Sequence, residues 1–299
     1  MTLLVVALDA LDSALVDEFD ADRLRLETSG RMETVSHMRE QPYTPEAWAS
    51  AATGMHPSDH GVSGGTSKWS NPLVDFASRF TGHLSMSMRS NLGNLIEGAT
   101  GAEYTIAEVD SPTMFDGKDR IVHNWPGVSN GEELKRAWDI MWREGQTNAE
   151  FERDILGLAA EQFGWVREML QHDVSVAGVH VHLLDATGHA YTEDRDRLRT
   201  AYERAGEFVG ELCKRLDPSD DLLLVSDHGM TVDFYSDEHD HASGSGAHSW
   251  RAYAASTTDS VPDTILDVKS WVNEHAPQVE SEDERLDIDE QRLRDLGYI

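Results

Sequence analysis

Three short apolar runs that each deliver an acidic or imidazole side chain constrain this chain more than any other feature. Leu3 to Leu8 leads into Asp9, Val174 to Leu184 into Asp185, and Leu222 to Val225 into Asp227 and His228. A short continuous apolar run suits a strand covered on both faces, as in the parallel sheets of α/β proteins. Ligand sites in such sheets gather beyond the carboxyl ends of the strands. Between the runs lie helical patterns: Glu150 to Gln171 carries Phe151, Ile155, Leu158, Ala159, Val166 and Leu170 near one face, and Arg195 to Leu216 carries Leu198, Tyr202, Ala205, Val209 and Leu212. This alternation predicts a layered α/β domain with a central, mostly parallel sheet between helix layers.

We expect one catalytic domain over residues 1–258, within which residues 61–145, rich in Gly, Ser and Asn, form an irregular segment covering the site. Residues 259–299 read as a polar helical extension packed on it. That extension contains a helix over Ile265 to His275, an acidic linker over Ser281 to Glu284 and a short terminal helix stopped by Gly297.

Charge narrows the function. A formal net charge of −30 and only five lysines (Lys68, Lys118, Lys135, Lys214 and Lys269) exclude a basic footprint for a nucleic-acid polymer. Carboxylates spread over the whole surface suit molar salt, where counterions screen their repulsion, so a halophilic source is expected. Cys213, the single cysteine, has no internal disulfide partner and reads as a packing residue. The first apolar run has no basic segment before it and meets Asp9 too soon to span a membrane, which predicts a soluble cytoplasmic protein.

Asp185 and His189 stand four apart, Asp227 and His228 repeat the pairing at the next run, and Asp9 adds a third carboxylate. His248 follows the glycine run Gly244-Ser245-Gly246. Mixed oxygen and imidazole donors suit zinc, with manganese the alternative, better than calcium, and predict two divalent ions. Any one of these residues could equally be a cap or a core group. Thr44-Pro45 reads as the start of a helix through Trp48 and Ala52, with Thr44 as its N-cap and the positive end of the helix dipole directed at its hydroxyl. Thr44 is therefore open to two readings, cap and nucleophile.

Taken in order, Asp9, the Thr44 to Val62 segment with its Thr-Pro, Ala-Trp, Thr-Gly and His-Gly pairs, Asp185 to His189, Ser226 to Met230 and the later Gly246-Ala247-His248 resemble the type I phosphodiesterase and nucleotide pyrophosphatase-like members of the alkaline phosphatase superfamily. The chain's last residues, Leu293 to Ile299, are similar to the close of many sulfatase-like proteins. The resemblance implies an alkaline phosphatase-like three-layer sandwich and hydrolysis of a small phosphate ester by Thr44. It further implies that Asp185, His189 and His248 hold one ion, and that Asp9, Asp227 and His228, with Thr44, hold the other.

Two features depart from the family pattern. Sulfatases carry Cys or Ser where Thr44 stands, which disfavours sulfate esters. Relatives place an Asn soon after the His-Gly element to bind a phosphoryl oxygen, where this chain has Gly64-Gly65-Thr66, leaving Thr66, Lys68 and Asn71 as substitutes. His239 and His241 compete with His248 as the last ligand, and His56, His60 and Trp48 read as structural. A phosphodiesterase leads; a phosphomonoesterase, a phosphate mutase and a non-catalytic binding protein of the same fold are the alternatives. The natural substrate and oligomeric state carry no readable signal.

Overall fold

A computed structural model describes residues 1–62, 68–69, 104–105, 107–129, 132–236 and 244–278. Besides a separate two-stranded pair, Lys68–Trp69 with Tyr104–Thr105, its strands are β1 (Leu3–Leu8), β2 (Thr28–Met32), β3 (Arg120–His123), β4 (Val176–Val181), β5 (Asp221–Val225), β6 (Gly229–Met230), β7 (His248–Ser249) and β8 (Ala252–Ser256). The helices are α1 (Ser13–Glu18), α2 (Thr44–Thr53), α3 (Pro57–His60), α4 (Glu132–Met141), α5 (Asn148–Met169), α6 (Leu183–Ala190), α7 (Arg195–Cys213) and α8 (Val268–His275). Six strands form one mixed sheet in the order β2-β8-β5-β1-β4-β3, in which β5, β1, β4 and β3 run parallel and β8 runs antiparallel to both its neighbours.

β1 lies at the centre, buried along its whole length, and its alternation divides the core in two. Leu4, Val6 and Leu8 face a cluster containing Phe151, Ile155 and Phe163 of α5 and Leu198, Tyr202 and Val209 of α7. Leu3, Val5 and Ala7 face a second cluster containing Trp48 and Ala52 of α2 and Val268, Trp271 and Val272 of α8. Helices thus cover both faces, the three-layer arrangement expected for strands that are apolar without alternation.

Several boundaries move. α5 begins at Asn148 because Thr147 and Glu150 close a reciprocal capping box. The apolar run from Val174 is not one strand to Leu184: β4 stops at Val181, and Leu183 and Leu184 are buried in the first turn of α6. An apolar run alone does not separate a buried strand from a buried helix. Residues 61–145, read as irregular, supply β3 to the edge of the main sheet and α4 to one of its layers. The helix expected over Ile265 to His275 is a 3₁₀ turn at Ile265–Asp267 continuing into α8. Ser281 to Glu284 and the terminal helix lie outside the described residues. Among the described residues no helix is long and apolar enough to cross a membrane.

Candidate active site

The register of the central strands assembles the site. Leu8 of β1 pairs with Val181 of β4, and Ala7 pairs with Val225 of β5, so Asp9, His182 and Asp227 emerge side by side at the carboxyl end of the sheet. The chain turns sharply after Asp9, with Ala10 at φ 60°, a left-handed conformation that a non-glycine residue adopts at a cost. The Ala10 amide donates to Asp227 Oδ1 at 3.4 Å, tying the two strand ends together.

Asp185 does not end a strand; it lies in the first turn of α6, one turn before His189 on the same helix face. Asp185 Oδ1 is 3.4 Å from His189 Nε2 and 3.5 Å from His248 Nε2, and these three residues offer converging donor atoms. His248, on β7, donates Nδ1–H to the Pro42 carbonyl at 3.0 Å, which leaves the Nε2 lone pair facing Asp185 and His189.

The second cluster is deeper. His228 Nε2 is 3.3 Å from both Asp9 Oδ1 and Asp227 Oδ2 and 3.2 Å from Thr44 Oγ1. Its Nδ1–H donates to the Gly229 carbonyl at 2.9 Å, orienting Nε2 inward as in His248. The two rings stack with centroids 3.7 Å apart, so the clusters share a wall. Thr44 is not the N-cap: Tyr43 takes that position and Thr44 is already helical, with Pro45 beside it in the first turn. Its hydroxyl faces His228 instead of capping the helix, because the N-terminal end of α2 abuts the strand ends.

A buried scaffold holds these loops. Asp12 accepts from the Met230 amide at 2.9 Å, from Ser249 Oγ at 3.2 Å and from Arg251 Nε at 3.0 Å, joining the segments that carry His228 and His248. Gly229 serves close packing: a Cβ there would lie 2.2 Å from Asp12 Oδ2.

Sequence reasoning missed His180 and His182. His180 Nε2 approaches Asp9 Oδ2 to 3.0 Å, and His182 Nδ1 approaches the same oxygen to 2.6 Å. His182 Nε2 lies 2.9 Å from Asp185 Oδ2 as an ion pair, not an aligned hydrogen bond. Two histidines spaced two apart in an otherwise apolar run were the available signal. His239, His241, Thr66 and Asn71 lie outside the described residues, and Lys68 is described only as a strand residue. His60 is buried on Ser50 Oγ at 3.0 Å, and Trp48 is core, edge-on to Trp125.

Burial and neighbouring charges shift the site's titratable groups in opposite directions. Burial, reinforced by Asp9, raises Asp227 well above the ordinary carboxylate range. Burial also acts to raise Asp9 and Asp185, but neighbouring imidazoles outweigh it and hold both carboxylates low. Burial alone would lower His182, yet Asp185 and Asp9 push it up to about 10. Burial, then His228, brings His248 down to about 3, so its ring is neutral. Asp9 Oδ1, Asp185 Oδ1 and Asp227 Oδ2 are buried without a hydrogen-bond partner. Such atoms are costly unless something compensates them, and three carboxylate oxygens facing imidazole nitrogens fit divalent cations. Asp185, His189 and His248 form one group of ligand-competent atoms lying within 4.8 Å of one another; Asp9, Asp185 and His228 form another, and Asp9, His180 and His182 a third.

The model of the family described as type I phosphodiesterase / nucleotide pyrophosphatase matches residues 3–242. The chain belongs to that family. As a type I phosphodiesterase/nucleotide pyrophosphatase relative it is a metal-dependent phosphoester hydrolase, and every residue of the two clusters except His248 falls within the matched span. A solved structure of TAB5 alkaline phosphatase, a mutant with Mg bound, is similar over 93% of this chain and 98% of that one, at 10% identity and a TM-score of 0.46. No curated protein matches the chain.

Proposed function

We propose that the chain hydrolyses a small phosphate ester, preferably a diester, by attack of Thr44 Oγ1 on phosphorus. In this reading Asp185, His189 and His248 hold one divalent ion, and Asp9, Asp227, His228 and Thr44 hold the other. The observation that carries it is the 3.2 Å approach of Thr44 Oγ1 to His228 Nε2 beside buried carboxylate oxygens that have no partner. Zinc suits the imidazole-rich donor set, with manganese the alternative. When bound, two divalent ions would supply Lewis-acid charge at the attacking and departing oxygens and acidify the threonine hydroxyl.

The chain's own residues do the rest. Pro42 and Gly229 carbonyls aim His248 and His228, while the Asp12 network fixes the loops that carry them. The ten-residue helix α2 points its positive end at Thr44, favouring a phosphoryl anion there. Thr44 gives up its proton to solvent, its Oγ1–P bond forms as the ester P–O bond breaks, and the leaving oxygen takes a proton from solvent to depart as an alcohol. Water then cleaves the phosphoryl-Thr44 ester, restoring the hydroxyl. We further propose a cytoplasmic enzyme of a salt-adapted cell; the charge of −30 supports the salt adaptation.

The test is turnover of bis-p-nitrophenyl and p-nitrophenyl phosphate in molar salt with zinc or manganese, for the wild type and Thr44→Ala. The proposal expects the diester to be preferred and Thr44→Ala to be inactive. Unchanged turnover in Thr44→Ala removes the threonine mechanism.

A further inference from the structure

We infer that His182 is a positioning residue that couples the two ion subsites, engaging one oxygen of Asp9 and one of Asp185 so that the other oxygen of each is left for a cation. The inference rests on the two-ion reading above. His182 stands between β4 and α6, where the chain passes from the strand beside Asp9 into the helix that carries Asp185. Its Nδ1 lies 2.6 Å from Asp9 Oδ2 and its Nε2 lies 2.9 Å from Asp185 Oδ2. The oxygens left without a hydrogen-bond partner are Oδ1 of Asp9 and Oδ1 of Asp185, which face His228 and the His189–His248 pair. One ring thereby meets an oxygen of both carboxylates, sharing that of Asp9 with His180.

His180 engages Asp9 Oδ2 as well, but turns its other nitrogen toward Asn124, so it acts on Asp9 alone. His182 is 3% exposed, so bulk water has little access to replace it. Without it, Asp9 Oδ2 would keep only His180, and Asp185 Oδ2 would lose the imidazole beside it. Partners that orient metal ligands are worth roughly 10–100-fold in affinity.

The experiment titrates metal-free protein with Zn²⁺ against a chromogenic chelator, for wild type, His182→Asn, His182→Gln and His182→Leu, with far-UV circular dichroism as the folding control. The stepwise affinities are assigned with His189→Ala, which removes one ligand beside Asp185. An asparagine amide sits near the position of Nδ1 and a glutamine amide near that of Nε2. His182→Asn is therefore expected to weaken chiefly the Asp185 subsite, His182→Gln chiefly the Asp9 subsite, each by roughly 10–100-fold, and His182→Leu both. Wild-type affinities at both subsites in the folded variants overturn the inference. Equal losses at both subsites in the Asn and Gln variants also overturn it, since a purely structural role predicts no selectivity. A wild type that takes up no Zn²⁺ sinks the two-ion reading itself, and the inference with it.

Discussion

The inner cluster around His228 and the outer cluster around His189 use the same side-chain types but differ in access to water. Asp9, Asp227 and His228 are 0% exposed, whereas the His189 and His248 side chains are 31% and 16% exposed. Water can reach and solvate the outer imidazoles. The inner cluster has no such relief: burial and Asp9 hold Asp227 well above the ordinary carboxylate range, and carboxylate oxygens stand without hydrogen-bond partners. Burying charge there is unfavourable for folding and favourable for chemistry, because charge developing on phosphorus is stabilised more strongly where water is excluded. The nucleophile candidate lies on the inner side.

That contrast can be broken at its most sensitive point by Thr44→Ala, expected to lower kcat at least about 1,000-fold in a steady-state assay. Its fold should persist, with stability within about 1 kcal/mol of wild type by thermal melting. A smaller loss of activity would place the essential chemistry outside the inner cluster.

Asp12→Ala tests whether the sealed side depends on its scaffold. It removes the carboxylate to which Arg251, the Met230 amide and Ser249 all donate in the interior. A loss of about 3–5 kcal/mol in urea unfolding is expected. Near-neutral behaviour would mean that the loops carrying His228 and His248 are held by other contacts.

Access sharpens the comparison further. His189→Ala should lose roughly 100-fold in activity, and added Zn²⁺ should restore much of it, since the outer cluster can re-equilibrate with solvent ions. Asp227→Ala should resist such rescue. Equal rescue of both would erase the distinction between the clusters.

The smallest effect expected is in the ion-free protein. Asp227 has a folded-state pKa raised well above 3.8, so above that pH the unfolded chain releases a proton that the folded chain keeps. Stability therefore falls as pH rises from near 4 until the folded-state pKa is passed. Asp227→Asn should flatten that part of a stability-versus-pH curve measured in chelator. An unchanged slope would place the titration elsewhere.

The fold was legible because β1 and β5 are short, apolar and bounded by polar residues, and because α5 and α7 keep a helical period over many turns. Most ligand candidates were legible for a related reason: Asp9, Asp227 and His228 stand where apolar runs stop. What escaped was three-dimensional. The run from Val174 hides a strand-to-helix change at His182, and periodicity has no signal for a break between two buried elements. The tethering of Asp9 by His180 and His182 comes from the register of β4 on β1, which local sequence does not specify. Thr44 lies in the first turn of α2 and not at the N-cap expected for it, and its hydroxyl turns to His228 because of tertiary packing.

The central claim is a covalent phosphoryl-Thr44 intermediate, and the stereochemistry of one turnover tests it most directly. A diester made chiral at phosphorus by sulfur substitution would be hydrolysed in isotopically labelled water and the product configuration read by ³¹P NMR. Two successive in-line displacements, by Thr44 and then by water, predict net retention at phosphorus. Net inversion would mean that water attacks directly and would contradict the assignment of Thr44.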